Sequence, residues 1–382
     1  MRALHVINSL SGSGGAEQGL VREITNFTSE VESRVVTLYR DDTLFPALVT
    51  KGVSMSTLEL DSSHSGWNWP AGIRRLRSVI EQFEPDVVHS SLASANLTAQ
   101  LATRRRGVPV LSTLTLSGDP ALMKTLQPGA GRRRAALFRR MSARAGRSSH
   151  VWFRALTEDS KATTCAATGI SESRVFVLPR GVPLFVETSA TRSSLGLPES
   201  APILLNVGRQ TAQKGHKYLI EAFRRVKSEI DAHLVIVGRR GDGSAELEES
   251  IRLHDLESSV TVVPFTPRPV DYYLTADVFV FTSLMEGLGT AVLEAMACGL
   301  PIVAFDIPPV REATRNGELA HLTPPGDPDA VAAAVLKLIS GQARDHVEEA
   351  RTWVVANHSI SEIAHQLEGR LIELAENGSI NL

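Results

Sequence analysis

Cysteine is nearly absent from this chain: among 382 residues there are two, Cys165 and Cys298. Both stand in apolar or helical surroundings, which excludes a disulfide-built scaffold and agrees with a reducing, cytoplasmic setting. Long apolar runs are missing too. No stretch reaches the roughly 18 consecutive apolar residues of a membrane span. The apolar opening from Ala3 to Ile7 is too short for a secretion signal. Neither charge sign prevails, with 40 Lys and Arg against 42 Asp and Glu, so nothing global argues for nucleic acid as a partner. No internal repeat or low-complexity tract interrupts the sequence. What remains is an ordinary soluble composition, 43% hydrophobic and 21% charged, in a chain long enough for two domains with a core each.

The most informative stretch runs from Asp277 to Phe305. Val278 to Thr282 is a short run of β-branched and aromatic residues, read as a buried strand. Glu286-Gly287-Leu288-Gly289 is a loop with two glycines. Val292, Leu293, Met296 and Ala297 then recur at helical spacing, and Gly299 and Pro301 end that helix. Ile302 to Phe305 is the next strand. A glycine-rich turn aimed at a helix N-terminus suits a diphosphate. Free N–H groups and the positive helix end favour an anion, and missing Cβ atoms let the backbone come close. Glu294, inside the apolar helix, needs a partner because an unpaired buried carboxylate is costly. A ribose diol would supply one, as it does for acidic residues in dinucleotide sites. The competing reading makes Glu294 a solvated helix residue and the glycines turn formers. On the glycines alone it is the better one, since short motifs recur by chance.

The full string alters that balance. Glu286-Gly287-Leu288-Gly289, then Glu294 after seven intervening residues, then the run to Ala304 closely resemble the signature of glycosyltransferase family 4. The resemblance extends to Gly14-Gly15-Ala16-Glu17, to Pro85-Asp86-Val87-Val88-His89, and to Val207-Gly208-Arg209 with Lys214-Gly215. It implies an α/β chain of the GT-B fold: two doubly wound Rossmann-like domains facing each other across a deep cleft. It also implies retaining, metal-independent transfer from a nucleotide sugar. On that basis residues 1–186 form an acceptor-binding domain, with a helix at about 360–382 packing back onto it, and residues 187–359 bind the donor. Strands alternating with helices in both halves support the doubly wound reading from the sequence itself.

The resemblance assigns the donor diphosphate to Arg209, Lys214 and the N–H groups of Leu288, Gly289 and Thr290. Gly208, Gly287, Gly14 and Gly15 line the phosphates, Glu294 holds the ribose, Glu286 the transferred sugar, and backbone around Thr266 meets the base. Elementary chemistry agrees. An Arg fork and a Lys point charge in one strand-to-helix loop suit a diphosphate leaving group, and they supply the electrostatic role a divalent metal plays elsewhere. Arg209, Lys214 and Glu286 are the catalytic candidates. No metal is expected, no Asp-x-Asp motif being placed to hold a metal–diphosphate complex, and the expected co-substrate is a UDP-, GDP- or dTDP-sugar.

The acceptor side departs from the family. Thr115 stands where many members carry a histidine, and Arg180-Gly181-Val182-Pro183 where relatives have Asn-Gly-Val-Asp. His89 either touches the acceptor or is a satisfied structural histidine. Trp67 and Trp69 either stack on an acceptor or close over the domain's own core. The stretch from Gly131 to Arg147 is strongly basic, read as a solvated helix face or as peripheral contact with an anionic membrane through Arg132 to Arg147. Glu187 to Ser200 reads as a linker. The expectation is a cytoplasmic glycosyltransferase, monomer or homodimer, with a lipid-linked, glycan or small-molecule acceptor. An NAD oxidoreductase is the weaker enzyme alternative, because neither loop is a clean Gly-x-Gly-x-x-Gly followed by an acid about 20 residues on. A non-catalytic GT-B subunit binding a nucleotide sugar or a partner is the other alternative. Thr115 and the altered turn support it, and the intact Glu286, Glu294, Arg209 and Lys214 set opposes it.

Overall fold

The computed structural model describes residues 1–11, 14–40, 43, 45–60, 69–115, 132–184, 187–266, 268–342 and 346–381, with backbone alone for 45 and 132–135. The chain divides into two compact units: Met1–Gly181 together with Ile360–Leu382, and Val182–Ser359.

Unit 1 is built on seven parallel strands: β1 (Arg2–Ile7), β2 (Glu32–Thr37), β3 (Ser54–Thr57), β4 (Val87–Ser91), β5 (Val110–Leu114), β6 (Val151–Ala155) and β7 (Val175–Val177). Their order in the sheet is β3-β2-β1-β4-β5-β6-β7. Between them run α1 (Gly15–Thr25), α2 (Phe45–Val49), α3 (Trp69–Phe83), α4 (Ala93–Thr103), α5 (Arg132–Gly146) and α6 (Glu158–Thr168). Right-handed crossovers place α1 and α2 on one face and α3, α4 and α5 on the other. The strand alternation obeys this division. Leu4 and Val6 cluster with Ile73, Leu76 and Ala99 of α3 and α4, while Ile7 clusters with Leu20 and Ile24 of α1. Trp69 opens α3 and packs against the first of these clusters, as the core-packing reading requires. Trp67 lies outside the described residues.

Unit 2 repeats the plan with β8 (Ile203–Val207), β9 (His233–Val237), β10 (Val260–Val263), β11 (Val278–Phe281), β12 (Ile302–Phe305) and β13 (His321–Thr323). The order is β10-β9-β8-β11-β12-β13. Its helices are α7 (His216–Glu229), α8 (Ser244–Leu253), α9 (Val270–Tyr273), α10 (Thr290–Ala297), α11 (Pro308–Ala313), α12 (Pro328–Ile339) and α13 (Val347–His358). In both sheets the strand order reverses between the first and fourth strands. Open parallel sheets bind ligands outside the carboxyl ends of the strands at such a switch point. The segment read as a linker is instead packed onto unit 2: Arg192 pairs with Asp277 at 2.8 Å and donates to the Thr275 carbonyl at 3.0 Å. Its Ser, Thr and Pro content marks a loop, but not what the loop rests on.

The last helix, α14 (Ile360–Asn377), returns to unit 1. Its Leu367, Leu371 and Leu374 are fully buried against Ala3, Val87, Leu111 and Phe176. Glu368, 2% exposed, accepts from the Thr28 amide at 3.0 Å and hydroxyl at 2.7 Å. No described helix is long and apolar enough to cross a membrane.

Two buried polar clusters brace unit 1. Glu23 of α1 pairs with Arg154 of β6 at 2.9 Å and with Arg180 at 3.3 Å, all three side chains being 0–2% exposed. Arg154 also donates Nε to the Leu178 carbonyl at 2.8 Å. Burial lowers the Arg180 guanidinium from its ordinary value, and Glu23 works in the opposite direction. In the second cluster His5 and His89 are register partners on β1 and β4, their Nδ1 atoms 3.3 Å apart. His89 Nε2 lies 2.8 Å from Thr113 Oγ1, and His5 Nε2 lies 3.2 Å from Ser33 Oγ. Burial pushes His5 down from 6.5 to about 3, and burial together with His5, Arg154 and Arg180 holds His89 well below its ordinary range.

An acid sensitivity follows. The unfolded chain binds protons near pH 6.5 that the folded pair refuses, so the stabilisation is complete above 6.5 and lost as pH falls toward the folded values. Each histidine contributes up to ~1.4 kcal/mol per pH unit in that window. Melting temperature should be level above neutrality and fall steadily below pH 6.5, less steeply in His5→Gln. A profile that stays level well into the acid range would refute this account.

Candidate active site

The site is assembled at the switch point of unit 2. β8 and β11 pair through Leu204–Val278 and Leu205–Phe279. Beyond that pairing the buried Asn206 takes over, its side-chain amide donating to the Val280 carbonyl at 2.8 Å. The loops leaving the two strands are then stitched together. Leu284 N donates to Gln213 O at 2.9 Å and Gln213 Nε2 to Met285 O at 2.6 Å. Thr282 Oγ1 donates to Lys214 O at 3.2 Å. Gly215 adopts φ +64°, and a Cβ there would stand 2.2 Å from the Thr282 carbonyl oxygen. Only glycine tolerates both the left-handed backbone and that approach.

This stitching puts the charged candidates side by side. Lys214 Nζ donates to Glu286 Oε1 at 2.5 Å, the side chains 17% and 12% exposed, with the ammonium 5.3 Å from the centre of the Phe281 ring. Arg209 is exposed on the same loop, and among the described residues no carboxylate lies within ion-pair distance of it. His216, 5% exposed at the start of α7, is kept neutral: burial and then Lys214 push it down from 6.5 to about 4. The loop after β11 closes through Gly289, which takes φ +81° and serves as the N-cap of α10 with no side-chain cap. Amides in the first turn of a helix have no intrahelical acceptor, and an anion is a natural partner for them.

Glu294 lies inside α10 at 6% exposure, which excludes the solvated-residue reading. Its Oε2 accepts from the Tyr273 hydroxyl at 3.1 Å, and Tyr273 is 1% exposed. Burial, then Glu294, pushes the nearby Cys298 thiol up to about 12, so it is held as an unreactive thiol. Thr266 follows β10, and its hydroxyl accepts from the Arg268 amide at 3.1 Å. Beside it Phe265 is 44% exposed. Sequence reasoning misses Tyr273. Tyr273 sits in a short helix 21 residues from its partner, with no motif to mark it. The Asp-x-Asp string Asp327-Pro328-Asp329 is structural: Asp327 caps α12 through the Ala330 amide at 3.0 Å, and Asp329 pairs with Arg225.

Four further candidates belong to unit 1. Gly14 is the N-cap of α1 and Gly15 its first residue. A Cβ on Gly14 would meet the Glu17 carboxylate at 2.2 Å, so the glycine makes room for that side chain. Thr115 follows β5, partly exposed, at the carboxyl edge of the sheet. His89 is corrected: it is 1% exposed and both ring nitrogens face protein atoms, which leaves it no group for an acceptor. Leu92, after β4, holds φ +78°, an unusual conformation for leucine, at the switch point of this sheet.

The comparisons with known proteins agree with this architecture. The family model "Glycosyl transferases group 1" matches residues 187–354, and "Glycosyl transferase 4-like domain" matches residues 14–181. The amylovoran biosynthesis glycosyltransferase AmsK of Erwinia amylovora is 34% identical over 181 residues, 43% of this chain and 44% of the relative. A D-inositol 3-phosphate glycosyltransferase of Geodermatophilus obscurus is 32% identical over 294 residues, 69% of this chain and 64% of the relative. The chain thus spans less than two thirds of either curated relative. Among solved structures, Anabaena HepE in complex with UDP and glucose superposes with a TM-score of 0.81 at 19% identity, covering 98% of this chain and 100% of that one. At that identity the likeness shows the fold, which is GT-B.

Proposed function

We propose, for a chain that belongs to the glycosyl transferases group 1 family, the transfer of a sugar from a nucleoside-diphosphate sugar to an acceptor with retention of configuration. The observation that carries this reading is the stitched pair of loops after β8 and β11. It sets Lys214 against Glu286, next to a helix start without a side-chain cap and a buried carboxylate held by a tyrosine. Arg209, Lys214 and the Leu288, Gly289 and Thr290 amides take the diphosphate. Glu294 receives the ribose diol and Glu286 the hydroxyls of the transferred sugar. As the bond from the anomeric carbon to the diphosphate oxygen breaks, the two cations neutralise the charge left on that oxygen, and no divalent ion is required. The same oxygen accepts the acceptor's hydroxyl proton while the new bond forms on that face, which retains configuration. The reaction is cytoplasmic on this reading, and the acceptor is a lipid-linked, glycan or small-molecule hydroxyl. UDP is the first nucleotide to try, because HepE is described in complex with it.

The test is a thermal-shift panel of UDP, GDP, dTDP, ADP and NAD on wild type and Glu294→Ala. One nucleoside diphosphate should stabilise the protein, and less so in the variant. Silence toward every diphosphate, or a preference for NAD, would sink the reading. Tyr273→Phe offers a finer check. Losing the hydroxyl should weaken nucleoside-diphosphate binding about tenfold and shrink the preference over the 2′-deoxy analogue, while pyrophosphate binding stays unchanged. An unaltered ribose preference would remove Tyr273 from the site.

A further inference from the structure

Net charge conceals a one-sided distribution. α3, α4 with the three residues after it, and α5 contain twelve arginines and a single carboxylate, Glu81. α4 touches both β4 and β5 and packs against α3 and α5, so the three helices form one layer over unit 1. Glu81 pairs with Arg106. Among the described residues, Arg74, Arg104, Arg105, Arg139, Arg140 and Arg144 have no carboxylate within ion-pair distance. Between α3 and α4 lies a cavity of about 440 Å³ lined by Ile73, Arg77, Leu101, Arg104 and Arg105. Arg77 donates Nη2 to the Leu101 carbonyl at 3.2 Å, and its Nε is buried without a partner among the described residues.

We propose that this layer docks unit 1 on an anionic phospholipid bilayer, with the cavity between α3 and α4 seating a phosphate headgroup. Charge complementarity is the argument. Guanidinium forks match phosphate oxygens, and the apolar floor of Ile73 and Leu101 suits the carbon next to a headgroup rather than a nucleic acid. Leu137, 46% exposed among the arginines of α5, adds an apolar contact. α4 starts at the carboxyl end of β4 and runs back, so Arg104 and Arg105 lie toward the opposite edge of the sheet from Gly14 and Thr115. Docking there leaves the carboxyl edge uncovered.

The experiment is co-sedimentation of the full chain with phosphatidylcholine vesicles, with and without phosphatidylglycerol. Pelleting should require the anionic lipid and weaken with salt. Arg104→Glu with Arg105→Glu should lower the apparent affinity by about tenfold or more without changing the melting temperature. Both side chains are exposed; should that pair fail to fold, Arg139→Glu with Arg140→Glu replaces it. Equal pelleting with neutral vesicles, no pelleting with anionic ones, or wild-type binding by the folded double variant would overturn the proposal. So would stabilisation by inorganic phosphate, dependent on Arg104 and Arg105, in a protein that ignores vesicles.

Discussion

Glu23→Ala is expected to destabilise unit 1 by about 3–5 kcal/mol, the range for removing one partner from a buried ion cluster. The variant leaves Arg154 and Arg180 facing each other at 0–2% exposure with no anion between them. Chemical denaturation should show the loss in the transition of unit 1. Gly19 shows how closely α1 passes the cluster, since a Cβ there would meet Arg180 Nη1 at 2.4 Å. Adding Arg180→Met should recover part of the loss, because an apolar replacement removes the unpaired charge. A change below about 1 kcal/mol, the size of a surface pair, would show that the cluster is solvated in solution.

Lys214→Ala should weaken nucleoside-diphosphate binding by about ten- to a hundredfold, the loss of a charged hydrogen bond, and slow transfer by roughly two to three orders of magnitude once an acceptor is found. The binding half can be measured now. Calorimetry with UDP and with uridine separates phosphate recognition from base recognition, and only UDP should respond. Lys214 also holds Glu286, so the variant leaves that carboxylate without its described partner. Lys214→Arg restores charge and should return part of the affinity. Equal losses for uridine and UDP would mean that the substitution disturbed the loop rather than the phosphate site.

The two glycine-rich loops of unit 2 are legible because their residues are nearly consecutive. Glu286, Gly287, Gly289 and Glu294 fall within one strand-loop-helix unit, and Gly208, Arg209 and Lys214 within another. Spacing places them on strand-to-helix turns, and the resemblance to glycosyltransferase family 4 supplies the roles. Unit 1 was less legible because its polar residues find partners far along the chain. His89 is 84 residues from His5, and Arg180 is 157 from Glu23. Arg180 reads in the sequence as part of an altered turn, and only the folded sheet shows that it completes a buried cluster. Tyr273 was hidden for the same reason.

The chain leaves unit 1 after Gly181 and comes back at Ile360, so unit 2 is an uninterrupted insertion while unit 1 is discontinuous. During synthesis the two therefore cannot mature in the order in which they are translated. Residues 182–359 are complete as soon as they emerge, whereas the apolar face formed by Ala3, Val87, Leu111 and Phe176 waits for the leucines of α14. Nascent unit 1 carries that face uncovered for the whole time unit 2 is being made, about ten seconds or more at ordinary elongation rates. A chain cut off at residue 359 and released would thus carry a complete second unit tethered to a first one whose apolar face is uncovered.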